Sequence, residues 1–315
     1  MKKIYLAFAA AALFIFTGGG KAAEFDRLLS LNAEDLRSMT GLTAPAVVSE
    51  APIPLNTARA LNAYFISVGQ GDSEYIELPN GKAALIDGGP ADRAGSGDPA
   101  IAQFIAQHNI TRIDYVVLTH PHADHFTGLK YVFDHVQVSN FYDTREDNPG
   151  APTLIALRDQ IAKTPSIARV YPAADDTLDW DPGEVEVKVL NSCSTPGQST
   201  DGSVLNDCSI VLKVTYQNTS ILYTGDMQND QEAQLVSKYG AGLRADVLKV
   251  GHHGSAHSSS AAYLDMVKPR FAYIEVGVNN YGHPTQAALS RLQAAGAKIY
   301  RTDLDGTQKY TIGGN

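Results

Sequence analysis

The chain is poor in cysteine, in tryptophan and in runs of basic charge. It holds two cysteines and one tryptophan in 315 residues, and its formal net charge is −9. Two cysteines cannot frame a small disulfide scaffold, so stability has to come from a packed core. Cys193 and Cys208 lie fifteen apart; in an exported chain they either pair to staple one loop or sit as two separate buried thiols. The acidic balance, with no lysine-arginine run, argues against a broad nucleic-acid-binding face. It leaves a phosphate substrate open, because bound metal ions make a site locally positive. There is no short internal repeat, and after Phe16 no apolar run approaches the roughly 20 residues a membrane span needs.

What is present begins with an address. Met1-Lys2-Lys3, the apolar stretch Ile4 to Phe16 and the small residues up to Ala23 read as a secretory signal peptide over residues 1–23. The stretch is short for a span, an uncleaved anchor being the alternative, and no cysteine near the cleavage region supports lipid attachment. Cleavage there removes three lysines and no acid, moving the charge from −9 to −12. The expected location is secreted, periplasmic or in the cell envelope, with no stable membrane insertion of the mature chain. Residues 24–60 read as a short amphipathic helix followed by an arm bearing Pro45, Pro52 and Pro54. Residues 61–315 alternate short β-branched runs with helical stretches, enough chain for one large core in a single domain.

That domain is organised around Thr119-His120-Pro121-His122-Ala123-Asp124-His125-Phe126. The run Tyr115-Val116-Val117-Leu118 before it is a buried strand by pattern, so the imidazoles leave a strand's C-terminal end. Open α/β sheets place their chemistry there. His120 and His122 can turn to one metal, while Asp124 and His125 diverge toward a second. A helix is expected over Thr127 to Phe133. Three distant segments repeat the device of an acid or imidazole after a short apolar strand: Ile86-Asp87-Gly88, Tyr223-Thr224-Gly225-Asp226 and Val250-Gly251-His252-His253. Alone, Asp87 and Asp226 would be turn residues; together with the histidine loop they fit a dinuclear centre.

The order His120-x-His122-x-Asp124-His125, then Asp226, then His252-His253 resembles the metallo-β-lactamase superfamily. Val68-Gly69-Gln70-Gly71-Asp72-Ser73, Leu85-Ile86-Asp87-Gly88-Gly89, Gly251-His252-His253-Gly254-Ser255, Asn280-Tyr281-Gly282-His283-Pro284 and Arg301-Thr302-Asp303-Leu304-Asp305-Gly306 resemble a narrower group. That group is the hydrolase domain of ComEC-type DNA-uptake proteins and their free-standing exported relatives. The resemblance covers residues 62–312 and implies an α/β fold, an αββα sandwich with two divalent ions, zinc or manganese, at one edge of the sheets. His120 and His122 would bind the first ion; Asp124, His125 and His252, preferred over His253, the second; Asp226 would bridge. Asp87 would buttress the ligands by hydrogen bonding. The third histidine usual for the first ion is missing. Leu205-Asn206-Asp207-Cys208 stands there, so Asn206 or Asp207 would supply an oxygen, shifting preference toward harder ions. His135 is expected to be an ordinary helix-end histidine.

The implied activity is metal-dependent hydrolysis by a hydroxide held between the ions. A phosphodiester is the first expectation, with DNA as substrate; a phosphodiester of an envelope polymer, such as a phosphorylcholine ester, is the second. A lactam, lactone or thioester is the third, and a non-catalytic metal-stabilised binding module the reading outside enzymes. Asp124 and His283 are the candidate catalytic residues, His283 touching the phosphate or protonating the leaving oxygen. Ser255 is a candidate phosphate contact, and no obligate protein partner is inferred.

Overall fold

The structure is a computed structural model that describes residues 60–92 and 97–314. The signal peptide and almost all of the 24–60 arm lie outside the described residues. The chain opens with β1 (Ala60–Phe65), β2 (Glu74–Glu77), β3 (Ala83–Ile86), β4 (Arg112–Val117) and β5 (Gln137–Tyr142), followed by β6 (Glu146–Asp147) and β7 (Ala168–Val170). Next come β8 (Thr177–Asp181), β9 (Val185–Asn191), β10 (Gly197–Gln198), β11 (Val211–Tyr216) and β12 (Thr219–Tyr223). The last four are β13 (Val247–Lys249), β14 (Phe271–Ile274), β15 (Lys298–Arg301) and β16 (Gln308–Gly313).

Two seven-stranded sheets result, ordered β16-β1-β2-β3-β4-β5-β7 and β15-β14-β13-β12-β11-β9-β8, with β6 and β10 as a separate small pair. The last strand therefore returns to the first, β16 pairing antiparallel with β1. In each sheet the strands that lead into the histidine and aspartate motifs run parallel, β3 with β4 and β12 with β13.

Side-chain alternation sets the layers. Leu61, Phe65, Ile76, Ile86 and Val117 of the first sheet meet Val187, Leu212, Val214, Tyr223 and Tyr273 of the second in one buried core. Phe65 stacks on Tyr273 across it, ring centroids 4.0 Å apart. The opposite face of the first sheet, with Leu85 and Val116, is covered by the helices Ala100–Gln107, Leu129–His135 and Pro152–Ala162. The opposite face of the second sheet, with Leu222, Leu248 and Ile274, is covered by Asn229–Tyr239, Ala261–Val267 and Gln286–Ala294. This is the αββα sandwich: each sheet buries both faces, one against its partner and one under helices.

Two local expectations change. The helix anticipated over 127–133 is two, Ala123–Phe126 and Leu129–His135, so the histidine loop itself runs into the first turn. The break at Thr127-Gly128 comes from a close backbone approach: a Cβ on Gly128 would lie 2.0 Å from the Gly88 carbonyl oxygen. His135 ends the second helix, its Nδ1 2.9 Å from the Tyr131 carbonyl. The helix Gly202–Asp207, capped by Asp201, was not anticipated; its composition is that of a turn.

Cys193 and Cys208 are joined as a disulfide, which settles the alternative left open by their spacing. The bond ties the end of that helix to the turn after β9. Replacing both cysteines by alanine should lower stability by about 3 kcal/mol, the loop-entropy value for a closed loop of this length. Urea unfolding of oxidised wild type against C193A/C208A measures it; equal midpoints would show that the bond does not constrain the unfolded chain.

Candidate metal centre

Four strand ends supply the site. β3 ends at Ile86 and delivers Asp87; β4 leads through Thr119 into His120, His122, Asp124 and His125; β12 leads through Gly225 to Asp226; β13 leads to His252 and His253. Asp87, His252 and His253 all hold positive φ, 54°, 48° and 52°. Non-glycine residues in that region are uncommon, and such strain gathers where a site over-determines the backbone.

The donors converge on Asp226. Its Oδ2 lies 3.8 Å from His120 Nε2, 3.4 Å from His125 Nε2, 3.5 Å from His253 Nε2 and 3.8 Å from His252 Nε2. His120 Nε2 and His122 Nδ1 are 2.9 Å apart and face a common point. Asp124 Oδ2 is 3.5 Å from His253 Nε2. Asp87, fully buried, accepts from the Thr119 backbone N–H and hydroxyl at 2.8 and 2.6 Å, and its Oδ2 lies 2.7 Å from His125 Nδ1. That contact turns His125 Nε2 toward Asp226.

The outcome for the two adjacent histidines reverses the preference for His252. His253 is buried, with Nδ1 held 2.8 Å from the Glu275 carbonyl and 3.1 Å from Asp72 Oδ1, which leaves Nε2 aimed at Asp124 and Asp226. His252 is partly open to solvent and stands 5.3 Å, centroid to centroid, from the ring of His283. A ligand needs its second nitrogen anchored, and only His253 has that anchor.

Asn206 and Asp207 also part. Asn206 is buried beside His122, and its Oδ1 has no hydrogen-bond partner among the described residues. Asp207 turns away, its Oδ1 accepting the Gln228 backbone N–H at 3.1 Å. Ser255 is buried, its hydroxyl accepting from the His257 backbone N–H at 3.2 Å and its own backbone N–H donating to the His252 carbonyl at 2.8 Å, both within its own turn. His283 is half-buried beside His252 and His253, with Nδ1 unpartnered.

Behind the donors sits a layer that the sequence reading left without a role. Lys249 is fully buried at the end of β13, and its ammonium makes a very short ion pair with Asp72 Oδ2. It also donates to the Gly225 carbonyl at 3.1 Å and lies 4.0 Å from Asp226 Oδ1. Glu74 and Glu275, both buried, complete the cluster, Glu275 Oε1 accepting from the Ser73 backbone N–H at 3.2 Å. A lysine inside the apolar run Val247-Leu248-Lys249-Val250 was the available signal, since buried charge demands a partner.

The electrostatics follow from crowding acids and imidazoles without water. Burial works against the charged form of Asp226, yet the imidazoles of His253, His125 and His252 hold it well below the carboxylate range. Burial likewise opposes charge on His125, but Asp226, Asp87 and Asp72 hold it well above the usual histidine range. His253 is pushed up to about 10 against burial, chiefly by Asp226 and Asp72. His120 moves the other way, depressed by burial and by the neighbouring His125. Burial and the negative charge of Asp72 raise Glu74 to about 8, so it is protonated at neutral pH.

The residues fit a metal centre on their own chemistry. His125 Nε2, His253 Nε2, Asp226 Oδ1 and Asn206 Oδ1 are buried with no hydrogen-bond partner among the described residues. Orphaned buried polar atoms cost free energy unless something binds them. His120, His125 and Asp226 form one set whose ligand atoms lie within 4.8 Å of one another; Asp124, His125 and His253 form another.

The chain is similar to known proteins in sequence and in fold. The family profile described as the Metallo-beta-lactamase superfamily matches residues 66–277. ComE operon protein 3 of Bacillus subtilis is 27% identical over 262 residues, 78% of this chain and 32% of that protein. Competence protein ComA of Neisseria gonorrhoeae is 30% identical over 281 residues, 88% of this chain and 36% of that one. The chain thus spans about a third of the length of these curated relatives. Among solved structures, the metallo-beta-lactamase fold protein YhfI of Bacillus subtilis superposes with a TM-score of 0.53 at 11% identity, covering 80% of this chain and 99% of that one. Among the described residues no helix is long and apolar enough to cross a membrane. With the fold, the order of the motifs and the family profile in agreement, the chain belongs to the metallo-β-lactamase superfamily.

Proposed function

We propose that the protein is an exported, metal-dependent phosphodiesterase that acts on nucleic-acid strands. The observation that carries the reading is the ring of buried imidazole nitrogens and carboxylate oxygens around Asp226, several without a hydrogen-bond partner among the described residues, which suits a pair of divalent ions. His120, His122 and the Asn206 oxygen would hold the first ion; Asp124, His125 and His253 the second; Asp226 both. Such ions supply Lewis acidity, lowering the pKa of water and neutralising phosphoryl oxygens. An amide oxygen in place of a third imidazole favours manganese over zinc at the first position. The choice of nucleic acid draws on the resemblance of the motifs to DNA-uptake proteins and on a relative named Competence protein ComA.

The chain's own contribution at the scissile phosphate is His283. Burial, then the neighbouring imidazoles of His252 and His253, push it down to about 4. At neutral pH it is an uncharged ring with one N–H to donate, which suits hydrogen bonding to a phosphate oxygen better than supplying a proton. His283→Ala is expected to lower kcat about a hundredfold while bound metal per protein stays at the wild-type level; kinetics on a small diester with metal analysis checks both, and unchanged turnover ends the assignment.

The test of the whole reading is to strip the protein of metal, reload it separately with zinc and manganese, and assay single-stranded DNA, bis-p-nitrophenyl phosphate, p-nitrophenyl phosphorylcholine and nitrocefin. Cleavage of DNA and the simple diester, restored most strongly by manganese, is expected. Turnover of nitrocefin alone would move the protein to lactam chemistry. No cleavage at any loading would favour a binding module.

A further inference from the structure

Among the described residues, the two most exposed large hydrophobic side chains are Val278, at 101% of its free accessibility, and Tyr281, at 73%. Both belong to the loop that carries His283. Exposed apolar side chains scattered singly need no explanation, but two on one loop at the rim of a hydrolytic centre do.

The loop is held in place. Asn279 acts as its hub: Oδ1 accepts from the backbone N–H of Tyr281 and His283 at 3.0 and 3.1 Å, and Nδ2 donates to the carbonyls of Gly277 and His283 at 2.9 and 2.8 Å. At one end Gly277 lies so close to the backbone of Gly69 and Gln70 that a Cβ would approach Gly69 to 2.4 Å. At the other, the Thr285 backbone N–H donates to the Gly254 carbonyl at 2.9 Å. Tyr281 therefore stands on a fixed backbone, and a ligand that packs on its ring has only the side chain's own torsions to order.

Its neighbours place it one step from the chemistry. The Tyr281 ring is 5.7 Å from that of His283, and His283 is 6.4 Å from His253. The sequence also holds no lysine-arginine run to track a phosphate backbone, so affinity for a strand needs a further source.

Resting on the phosphodiesterase reading above, we propose that Tyr281 is a specificity-determining residue on which the nucleobase beside the scissile phosphate stacks, with single-stranded nucleic acid as the substrate class. A base stands one sugar away from its phosphate, so a phosphate at the donor cluster leaves its base at the loop. Stacking on an aromatic ring tolerates any sequence, because every base has a π-face. A quaternary ammonium headgroup also binds tyrosine, but its recognition uses a cage of several rings. Among the described residues, His283 is the one ring beside Tyr281, and it leaves the tyrosine face open.

The experiment uses metal-loaded protein and two substrates, thymidylyl-thymidine and the same dinucleotide lacking both bases. Wild type should show a KM about tenfold lower for the base-bearing substrate. That preference should collapse toward unity in Y281A and return in Y281F, which keeps the ring, with the change in KM and not in kcat. A preference that survives in Y281A overturns the proposal. So does a Y281A defect confined to p-nitrophenyl phosphorylcholine, which would assign the ring to a cationic headgroup. Should wild type cleave no diester at all, the phosphodiesterase reading fails while stacking stays testable: anisotropy of fluorescent oligothymidine is then decisive, weaker binding to Y281A supporting it and equal binding ending it.

Discussion

Asp226→Ala is expected to lower diester hydrolysis by about a thousandfold or more, the loss of several kcal/mol of charge stabilisation. The reason is geometric. Four imidazole nitrogens, from His120, His125, His252 and His253, lie within 3.8 Å of one oxygen of this carboxylate. Without it, positively charged ions and protonated histidines would crowd one another with no anion between them. D226A should also hold less than one metal ion per chain at loadings that saturate wild type. Metal loading of wild type should release protons near neutral pH. His125 and His253 both sit well above the ordinary histidine value in the metal-free chain, so they carry protons that a ligand must give up. Metal analysis, and titration calorimetry in buffers of different ionisation enthalpy, read the two effects. Full metal occupancy in D226A with wild-type turnover would remove Asp226 from the centre.

Lys249→Met should destabilise the fold by about 3–5 kcal/mol, the cost of leaving a buried charge without its partner. For a domain of this size that corresponds to a fall in Tm of roughly 10 °C. Lys249 and Asp72 are both inaccessible, and the ammonium contacts Asp72 more closely than the His253 imidazole does, in a layer that also holds Glu74 and Glu275. Methionine keeps the volume and removes the charge, so packing alone predicts little change. Asp72→Asn made in the same background should recover part of the loss, because the residual negative charge goes with it. Measured as a double-mutant cycle by thermal unfolding, a strong non-additive coupling is expected. Additive effects would mean that the two groups act separately, and a Tm within a degree of wild type in K249M would show that the pair contributes no stability.

Part of the centre was readable because some chemistry is local. His120, His122, Asp124 and His125 sit within six positions after a β-branched run, and strand ends are where open α/β sheets expose side chains. The order of the later motifs tied Asp226 and the 252–253 pair to that cluster. Other assignments depended on direction, which spacing does not encode. His252 and His253 share a backbone of the same left-handed kind, yet only one has Asp72 and a carbonyl behind it. Asn206 and Asp207 are neighbours on one short helix, so their side chains leave it on different faces, one toward His122 and the other toward Gln228. Ser255 sits in the right motif but spends its hydroxyl on its own turn.

By itself, the sequence determined the layered α/β sandwich, the strand ends that carry metal-binding residue types, and the family, because these follow from hydrophobic period and from the order of short motifs. Only the tertiary structure decided which of two adjacent histidines has its second nitrogen anchored, that the two cysteines join, and that Lys249 lies buried among Asp72, Glu74 and Glu275. Those outcomes rest on contacts between residues far apart in the chain, Asp72 and Lys249 being 177 positions apart. Such partners meet only after the sheets have stacked, and a buried charge is assigned its neighbour by packing, not by its place in the chain.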